Sequence, residues 1–329
     1  MQVLREHRLS AGRISLAGIT LPAIAGGVLG IALANDERLF PADIGRGQAP
    51  LFLASAMAVT ALPVLARILT DSGVAQTSIG TLALSAAAFD DAVAWSLLAL
   101  ALALAEGSVG GATRTIVGTT LFVAVMVLMV RPLLRRINDM AGPALGPSHL
   151  VGVIVMMLGC ASMTEWIGVH AVFGAFVAGV VLPRGSLTEQ LGSILEGAPV
   201  TILLPVFFVY AGLKTRIGLL EDWSTLWILA VVIAVAFVGK GGGCLLAMRL
   251  SGASWRRAGA LGALMNARGL MELTFITIAL ERGLITPTLF TMLALMALAT
   301  TMAAPPLFAW LYAFDPDPAG VAAHPGGSR

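Results

Sequence analysis

Long apolar runs separated by short polar connections make up most of the chain. Ten such runs can be distinguished, at 14–34, 49–69, 77–105, 115–130, 150–163, 169–182, 200–213, 226–250, 258–280 and 289–314. About 20 apolar residues in an α-helix cross the hydrocarbon core of a bilayer. The pattern therefore predicts an all-α polytopic membrane protein with about ten transmembrane helices, followed at 315–329 by a disordered tail rich in Pro and Gly.

Two of the ten runs are interrupted, and they occupy corresponding places in the chain. Pro63 lies inside the second run, where a proline removes a backbone donor and clashes with a carbonyl of the preceding turn. Asn266 and Gly269 interrupt the ninth run. Runs one to three and runs eight to ten therefore share the order of plain helix, interrupted helix and plain helix. Because seven spans separate the two starting points, the second set is inverted, and an inverted repeat with two crossed discontinuous helices is typical of secondary transporters.

The composition agrees with a membrane protein. Hydrophobic residues make up 58% of the chain and charged residues 12%, and the mean hydropathy is +0.91, whereas soluble domains carry about 25% charged residues. The net charge of +2 is too small, and the basic residues are too dispersed, for a nucleic-acid partner. Cys160 and Cys244 lie in apolar runs without a C-x-x-C motif or a neighbouring His, so we expect no disulfide, no tightly bound metal and no cofactor.

The distribution of Lys and Arg over alternate loops predicts the orientation. When all ten runs span the membrane, twelve basic residues fall on one side and six on the other, which places both termini in the cytoplasm of a multi-pass cell-membrane protein. The N-terminal run also resembles a secretory signal, since basic residues precede it and Ala32-Leu33-Ala34 ends it. Its length and the presence of Pro22 favour a retained span.

Asp90 and Asp91 lie in tandem inside the third run, where an ionised carboxylate costs at least about 2.5 kcal/mol. Adjacent helix residues point about 100° apart, so the two carboxylates cannot aim at one point and are expected to have different roles. Lys240 is equally costly inside the eighth run, and the three glycines that follow it permit close helix approach. We expect Lys240 to pair with one aspartate while the other exchanges ions; a fixed structural network of all three is the alternative.

Polar residues at the two interruptions complete the candidate site. Thr60 and the carbonyls freed by Pro63 are oxygen ligands for a cation if the break lines a cavity, and an ordinary proline kink is the alternative. Arg268 and Glu272 are spaced i, i+4 and can pair on one helix face, in a structural or a gating role. Lys240 and Arg268 are expected to offset the negative ends of the half-helices.

Five motifs occur in a characteristic order along the chain. They are Thr60-Ala-Leu-Pro-Val-Leu-Ala-Arg67, Ala-Ala-Ala-Phe-Asp90-Asp91-Ala-Val-Ala-Trp95, Gly168-Val-His170-Ala-Val-Phe-Gly-Ala-Phe-Val-Ala-Gly179, Gly239-Lys240 and Asn266-Ala-Arg-Gly-Leu-Met-Glu272-Leu. Together they resemble the monovalent cation:proton antiporter family, in the branch that includes bacterial sodium/proton and potassium/proton exchangers. The resemblance extends over residues 14–314.

The resemblance implies a sodium/solute-proton exchanger transmembrane domain at 1–314. In it a mobile core, 14–105 and 224–314, moves against a linker and scaffold, 112–215, that also forms a homodimer. Members of this family usually begin with further membrane spans, so the resemblance implies either a misassigned start or a shortened chain. Dimerisation is expected where the scaffold is complete.

The resemblance also implies the roles of individual residues. Asp91 binds the cation and the proton in alternation, and Asp90 pairs with Lys240. His170 falls in the scaffold motif, where a lone histidine on an apolar face is expected to be packed and hydrogen-bonded.

The sequence thus predicts a secondary active transporter and not an enzyme. It exchanges Na⁺ or K⁺ for H⁺ across the lipid bilayer by alternating access at an intramembrane aspartate, and the residues leave the choice of cation open. A channel or a truncated, non-transporting membrane protein on the same fold is the alternative. The sequence disfavours an intramembrane aspartyl protease, because its two aspartates must come from different spans and no second span here supplies one.

Overall fold

The structure, a computed structural model of the chain, describes residues 2–42, 44, 47–105, 109–141, 147–169, 171–183, 188, 190–192, 202 and 204–313. Side chains are described for the same residues except 2–11, 91–92, 94–105, 109–112, 139–141, 147–148 and 204. The predicted tail at 315–329 lies outside the described residues.

Every regular element in the described part of the chain is a helix. In chain order the principal helices are α1 (Gln2–Leu33), α2 (Gln48–Ala58), α3 (Leu62–Asp71), α4 (Ser78–Ala105), α5 (Val109–Val125), α6 (Arg131–Ala141), α7 (Pro147–Ile167), α8 (Ala171–Val181), α9 (Leu204–Lys214), α10 (Trp223–Leu250), α11 (Trp255–Leu264), α12 (Leu270–Glu281) and α13 (Pro287–Tyr312). A π-helical turn, Met126–Val130, joins α5 to α6, and a 3₁₀ turn, Ile217–Leu220, precedes α10. The predicted all-α fold class is confirmed.

Six helical stretches within the described ranges are long and apolar enough to cross a membrane: Gly12–Leu33, Gln48–Asp71, Thr113–Asn138, His149–Ile167, Trp223–Leu250 and Pro287–Tyr312. Shorter apolar helices occur at Ser78–Asp90, Ala171–Val181 and Pro205–Lys214. The remaining predicted span, 258–280, is divided between α11 and α12. The chain is a multi-pass membrane protein, and its helices agree with about ten spans.

The chain divides into two compact units. The first comprises Met1–Leu98 and Leu213–Arg329, and the second comprises Ala99–Gly212. The first unit therefore contains both interrupted helices. The predicted roles of mobile core and scaffold stay predictions.

Small residues bring the helices of the first unit close together. In this unit α1 packs against α2 and α10, and α13 packs against α10, α11 and α12. A Cβ at Gly262 of α11 would lie 2.5 Å from the carbonyl oxygen of Gly241 on α10. A Cβ at Gly243 would lie 2.6 Å from the carbonyl oxygen of Ala17 on α1. The close approach that the glycines after Lys240 predict is therefore present, and it buries the Lys240 side chain completely.

The apolar core of the first unit draws on six helices. Its buried members include Ile14, Leu65, Leu69, Ala83, Ala87, Cys244, Leu261, Leu264 and Phe308. The alanines belong to α4, the helix that carries Asp90. Their burial fixes the face of α4 on which Asp90 lies, because Ala83, Ala87 and Asp90 follow one another at helical spacing.

In the second unit α7 packs against α5 and α8. α7 is followed by Gly168, whose φ of 103° is a left-handed conformation that glycine adopts without strain. The fourth predicted run ends at 130, but α6 continues the helix to Ala141. Hydropathy marks the end of an apolar stretch, whereas Arg, Leu and Asn after it do not stop the helical backbone.

A candidate functional site at two crossed helix breaks

The first break separates α2 from α3. α2 ends at Ala58, the chain becomes extended at Val59, whose ψ is 140°, and α3 begins at Leu62. Pro63 lies in the first turn of α3, where its missing N–H removes no helical hydrogen bond. The predicted interrupted helix is present, with the proline at the start of its second half.

The second break lies between α11 and α12. Residues of the break itself donate hydrogen bonds to the last carbonyls of α11. The N–H groups of Asn266 and Ala267 donate to the carbonyls of Ala263 and Leu264, at 3.2 and 3.0 Å. The side-chain amide of Asn266 donates to the carbonyl of Gly262 at 3.0 Å. These local bonds satisfy the last carbonyls of α11.

The two breaks cross each other. The N–H of Ala61 in the first break donates to the carbonyl of Ala267 in the second, at 2.9 Å. Gly269 lies against α3, since a Cβ at this position would be 2.7 Å from Cγ2 of Val64. A larger residue at 269 would push the segments apart. The predicted crossing of two discontinuous helices is confirmed.

Two cations from distant parts of the chain cover the carbonyl end of α2. Lys240 of α10 donates to the carbonyl of Ala58, with Nζ at 2.6 Å. Arg268 of the second break donates through Nη1 to Ala56 at 2.9 Å and through Nη2 to Met57 at 2.8 Å. Both side chains are buried. Cations at this position stabilise the negative C-terminal end of the helix.

Asp90 is fully buried beside this end of α2. Its Oδ2 accepts hydrogen bonds from Lys240 Nζ at 2.6 Å and from the Thr60 hydroxyl at 3.0 Å. Its Oδ1 accepts a hydrogen bond from the hydroxyl of Ser15 on α1. Groups from α1, α10 and the first break thus converge on one carboxylate of α4. Such partners are needed because a buried charge without them is strongly destabilising.

The second buried ion pair joins Arg268 to Glu272. Nη1 of Arg268 lies 2.9 Å from Oε2 of Glu272, and both side chains are shielded from solvent. The i, i+4 spacing predicted this pair. Glu272 lies in the first turn of α12, where a negative charge is stabilised by the free N–H groups of the helix start.

Comparison with known proteins decides the family. The family profile described as "Sodium/hydrogen exchanger, transmembrane" matches residues 1–313. The chain belongs to this family. The resemblance of its motifs to the monovalent cation:proton antiporters is confirmed.

Relatives of this exchanger-family chain occur in bacteria, plants and yeast. It is 40% identical over 267 residues to the Na⁺/H⁺ antiporter NhaS4 of Synechocystis sp., a match that covers 80% of this chain and 65% of that protein. It is 33% identical over 318 residues to Cation/H⁺ antiporter 15 of Arabidopsis thaliana, over 95% of this chain and 38% of that protein. It is 32% identical over 269 residues to K⁺/H⁺ antiporter 1 of Saccharomyces cerevisiae, over 80% and 31%. The chain therefore spans between about a third and two thirds of the length of these relatives.

The structure of this exchanger-family chain does not place every predicted site residue. The side chain of Asp91 and the whole of His170 lie outside the described residues, although the backbone of Asp91 follows Asp90 in α4. Thr60 contacts Asp90, the aspartate that Lys240 holds. The ion-binding and charge-compensating roles stay predictions. Among the described residues, no group of three or more His, Cys, Asp or Glu is arranged to hold a metal ion.

Two residues at the site could not be predicted from the sequence. Ser15 stands at the start of the first apolar run, where a hydroxyl is indistinguishable from an interface residue, yet it is fully buried on Asp90. Thr301 lies on α13 and bonds to the backbone of Arg268. Neither position carries a local pattern that predicts a distant partner.

Proposed function

We propose that this chain forms the ion-exchanging part of a secondary active transporter, which moves Na⁺ or K⁺ in one direction and H⁺ in the other. Asp91 is the residue that binds the cation and the proton in turn. The observation that carries the proposal is the fully buried pair of Asp90 and Lys240 at the crossing of two broken helices. The names of the bacterial, plant and yeast relatives support it.

Because Asp90 is already paired, Asp91 is the carboxylate available for ion exchange in this proposal. Both oxygens of Asp90 already accept hydrogen bonds, and Lys240 balances its charge. Asp91 follows it in α4, about 100° around the helix. Its charge is then neutralised by whichever small cation arrives, a proton or an alkali metal ion. One carboxylate therefore serves two competing ligands, and Asp90 fixes the electrostatic surroundings.

The extended part of the first break supplies further oxygen atoms. Arg268 and Lys240 occupy the last three carbonyls of α2. The carbonyls of Val59 and Thr60 come next in the chain and are our candidate ligands for the dehydrated cation, together with the Thr60 hydroxyl. Irregular backbone at membrane depth is tolerated where it lines such a site.

Exchange follows from the energy of moving a bare carboxylate. An empty, ionised Asp91 would carry its charge through the apolar barrier, whereas the protonated or cation-loaded form is neutral. Only the neutral forms therefore alternate between the two sides. In this proposal the core, 14–105 and 224–314, moves against 112–215 in a homodimer of the cell membrane, with the C-terminus in the cytoplasm. It makes the chain a transporter and not an enzyme.

The Asp91→Asn variant tests the proposal. In proteoliposomes that contain a pH-sensitive dye, we expect the wild-type protein to move H⁺ when Na⁺ or K⁺ is added, and Asp91→Asn to abolish this movement, because a neutral amide cannot alternate between H⁺ and a cation. Li⁺ is added as a third ion to define selectivity. Asp36→Asn is the matched control, since Asp36 lies in the loop between α1 and α2 and pairs with Arg38.

Two outcomes would contradict the proposal. Unimpaired exchange by Asp91→Asn would remove that residue from the mechanism. Unitary currents in planar bilayers would show a channel, because an exchanger moves one set of ions per conformational cycle and gives no such currents.

A further inference from the structure

A single hydroxyl satisfies both backbone groups of the residue at the centre of the second break. The N–H of Arg268 donates to Oγ1 of Thr301 at 2.8 Å, and the same hydroxyl donates to the carbonyl of Arg268 at 2.8 Å. Arg268 lies between α11 and α12, so neither group has a helical partner. Unsatisfied backbone groups inside a membrane protein cost several kcal/mol. Thr301 thus supplies the bonds that a continuous helix would have supplied.

This contact fixes the point from which the Arg268 side chain reaches α2. Its guanidinium bonds to the carbonyls of Ala56 and Met57 at 2.9 and 2.8 Å. The neighbouring residue, Ala267, receives the hydrogen bond that ties the two breaks together. A shift of the 268 backbone would therefore move the guanidinium away from the carbonyl end of α2.

The position of Arg268 bears on the exchange site through charge. The negative end of α2 is shared between Arg268 and Lys240, and Lys240 is also the partner of Asp90. Arg268 is also paired with Glu272, at 2.9 Å. When Arg268 withdraws from α2 while it stays paired with Glu272, Lys240 alone compensates the end of α2, and the electrostatic potential at the aspartates becomes more negative. A more negative potential raises the affinity of the aspartates for H⁺.

We infer that Thr301 is a positioning residue, which holds Arg268 against the end of α2 and thereby sets the pH range of ion exchange. The inference rests on the proposed function. Thr301 itself acts only through the Arg268 backbone, so it is not a ligand of the transported ions.

Thr301→Val tests this role, because valine keeps the shape of threonine and removes the hydroxyl. Thr300→Val is the matched control: Thr300 is the preceding residue, is buried and bonds to the carbonyls of Met296 and Ala297 in its own helix, at 2.9 and 3.2 Å. Thr301→Ser keeps the hydroxyl. The pH dependence of cation-driven H⁺ movement is measured for each in proteoliposomes, beside the thermal midpoint.

We expect Thr301→Val to raise the pH of half-maximal exchange by about half a unit or more, the size of a helix-end charge effect in a partly buried setting. Thr300→Val and Thr301→Ser keep the wild-type pH profile, although Thr300→Val lowers the thermal midpoint. Thr301→Val in an Arg268→Met background adds no further shift, because residue 268 then has no charge for Thr301 to position.

A wild-type profile for folded Thr301→Val, or an equal shift for Thr300→Val, overturns the inference. If Thr301→Val does not fold, Thr301→Cys replaces it, because a thiol forms weaker hydrogen bonds and must shift the profile in the same direction. A wild-type protein without any exchange would instead defeat the proposed function. The two failures are therefore distinguished in the same experiment.

Discussion

The two helix breaks meet the same physical requirement in opposite ways. Each leaves a helix end whose carbonyls need donors inside a membrane protein. At the second break, Asn266 and the turn that contains it supply these donors locally. At the first break, the donors are Lys240 and Arg268, which come from other parts of the chain and carry charge.

The difference is our reason for placing the proposed ion site at the first break. A helix end whose carbonyls bond to neutral groups of the adjacent turn gains no extra charge and can serve as a rigid support. An end held by two buried cations is part of a charge balance, and that balance includes Asp90, whose two oxygens accept three hydrogen bonds. Glu272, the acid at the second break, has a partner for Oε2, and its Oε1 has none among the described residues.

Among the variants that compare the two breaks, Lys240→Met is expected to cause the largest loss of unfolding free energy. It leaves Asp90 charged and buried without a cation and uncovers the Ala58 carbonyl, so we expect a loss of about 3 to 5 kcal/mol of unfolding free energy. Chemical unfolding in detergent micelles measures it. The Asp90→Asn/Lys240→Met double variant should recover most of the loss. Lys214→Met is the control, because Lys214 forms a partly exposed pair with Glu281 and should lose less than about 1 kcal/mol.

If Lys240→Met were as stable as the wild type, the buried charge balance at the first break would be refuted. If the loss in the double variant equalled the sum of the losses in Lys240→Met and Asp90→Asn, Lys240 and Asp90 would not be energetically coupled.

A smaller effect is expected for Arg268→Met, about 2 to 3 kcal/mol of unfolding free energy. The loss is smaller than for Lys240→Met because Glu272, the carboxylate that loses its partner, lies in the first turn of α12. There the N–H groups of the helix offset its charge. Arg67→Met is the matched control, since Arg67 and Asp71 form an i, i+4 pair of the same spacing that is exposed. Equal losses for Arg268→Met and Arg67→Met would contradict a buried bridge between the breaks.

The smallest effects compare one hydrogen bond at each break. Thr60→Val and Asn266→Ala each remove one buried bond and should each cost about 1 kcal/mol of unfolding free energy. They should differ in transport: Thr60→Val should raise the apparent KM for the cation several-fold in the proteoliposome assay, because Thr60 lies on the charged break. Asn266→Ala should change the KM less. A reversed order would assign the ion site to the second break.

Much of this arrangement could be predicted from sequence because its signals are local. Apolar run lengths predicted the spans, and Pro63, Asn266 and Gly269 predicted both breaks. The i, i+4 spacing predicted the pair of Arg268 and Glu272. Lys240 could be assigned to the aspartates since so few charges lie inside the apolar runs that each has few candidate partners.

The remaining contacts could not be predicted because their partners are distant. Ser15 bonds to a carboxylate 75 positions away, and Thr301 bonds to a backbone 33 positions away. A threonine in an apolar helix commonly bonds to a carbonyl of its own preceding turn, as Thr300 does. The sequence alone does not distinguish Thr300 from Thr301, because the rotation of α13 relative to the break decides which of them faces Arg268.

The two basic residues that bond to the C-terminal end of α2 are translated long after that helix. Lys240 follows Ala58 by 182 residues, and Arg268 follows Ala56 by 212. At a ribosomal rate of about 5 to 20 residues per second, the nascent chain holds an uncovered α2 terminus for roughly 10 to 40 s. Water, lipid headgroups or the insertion machinery must shelter that terminus until translation delivers the two basic residues, so the order of the sequence builds a waiting period into biogenesis.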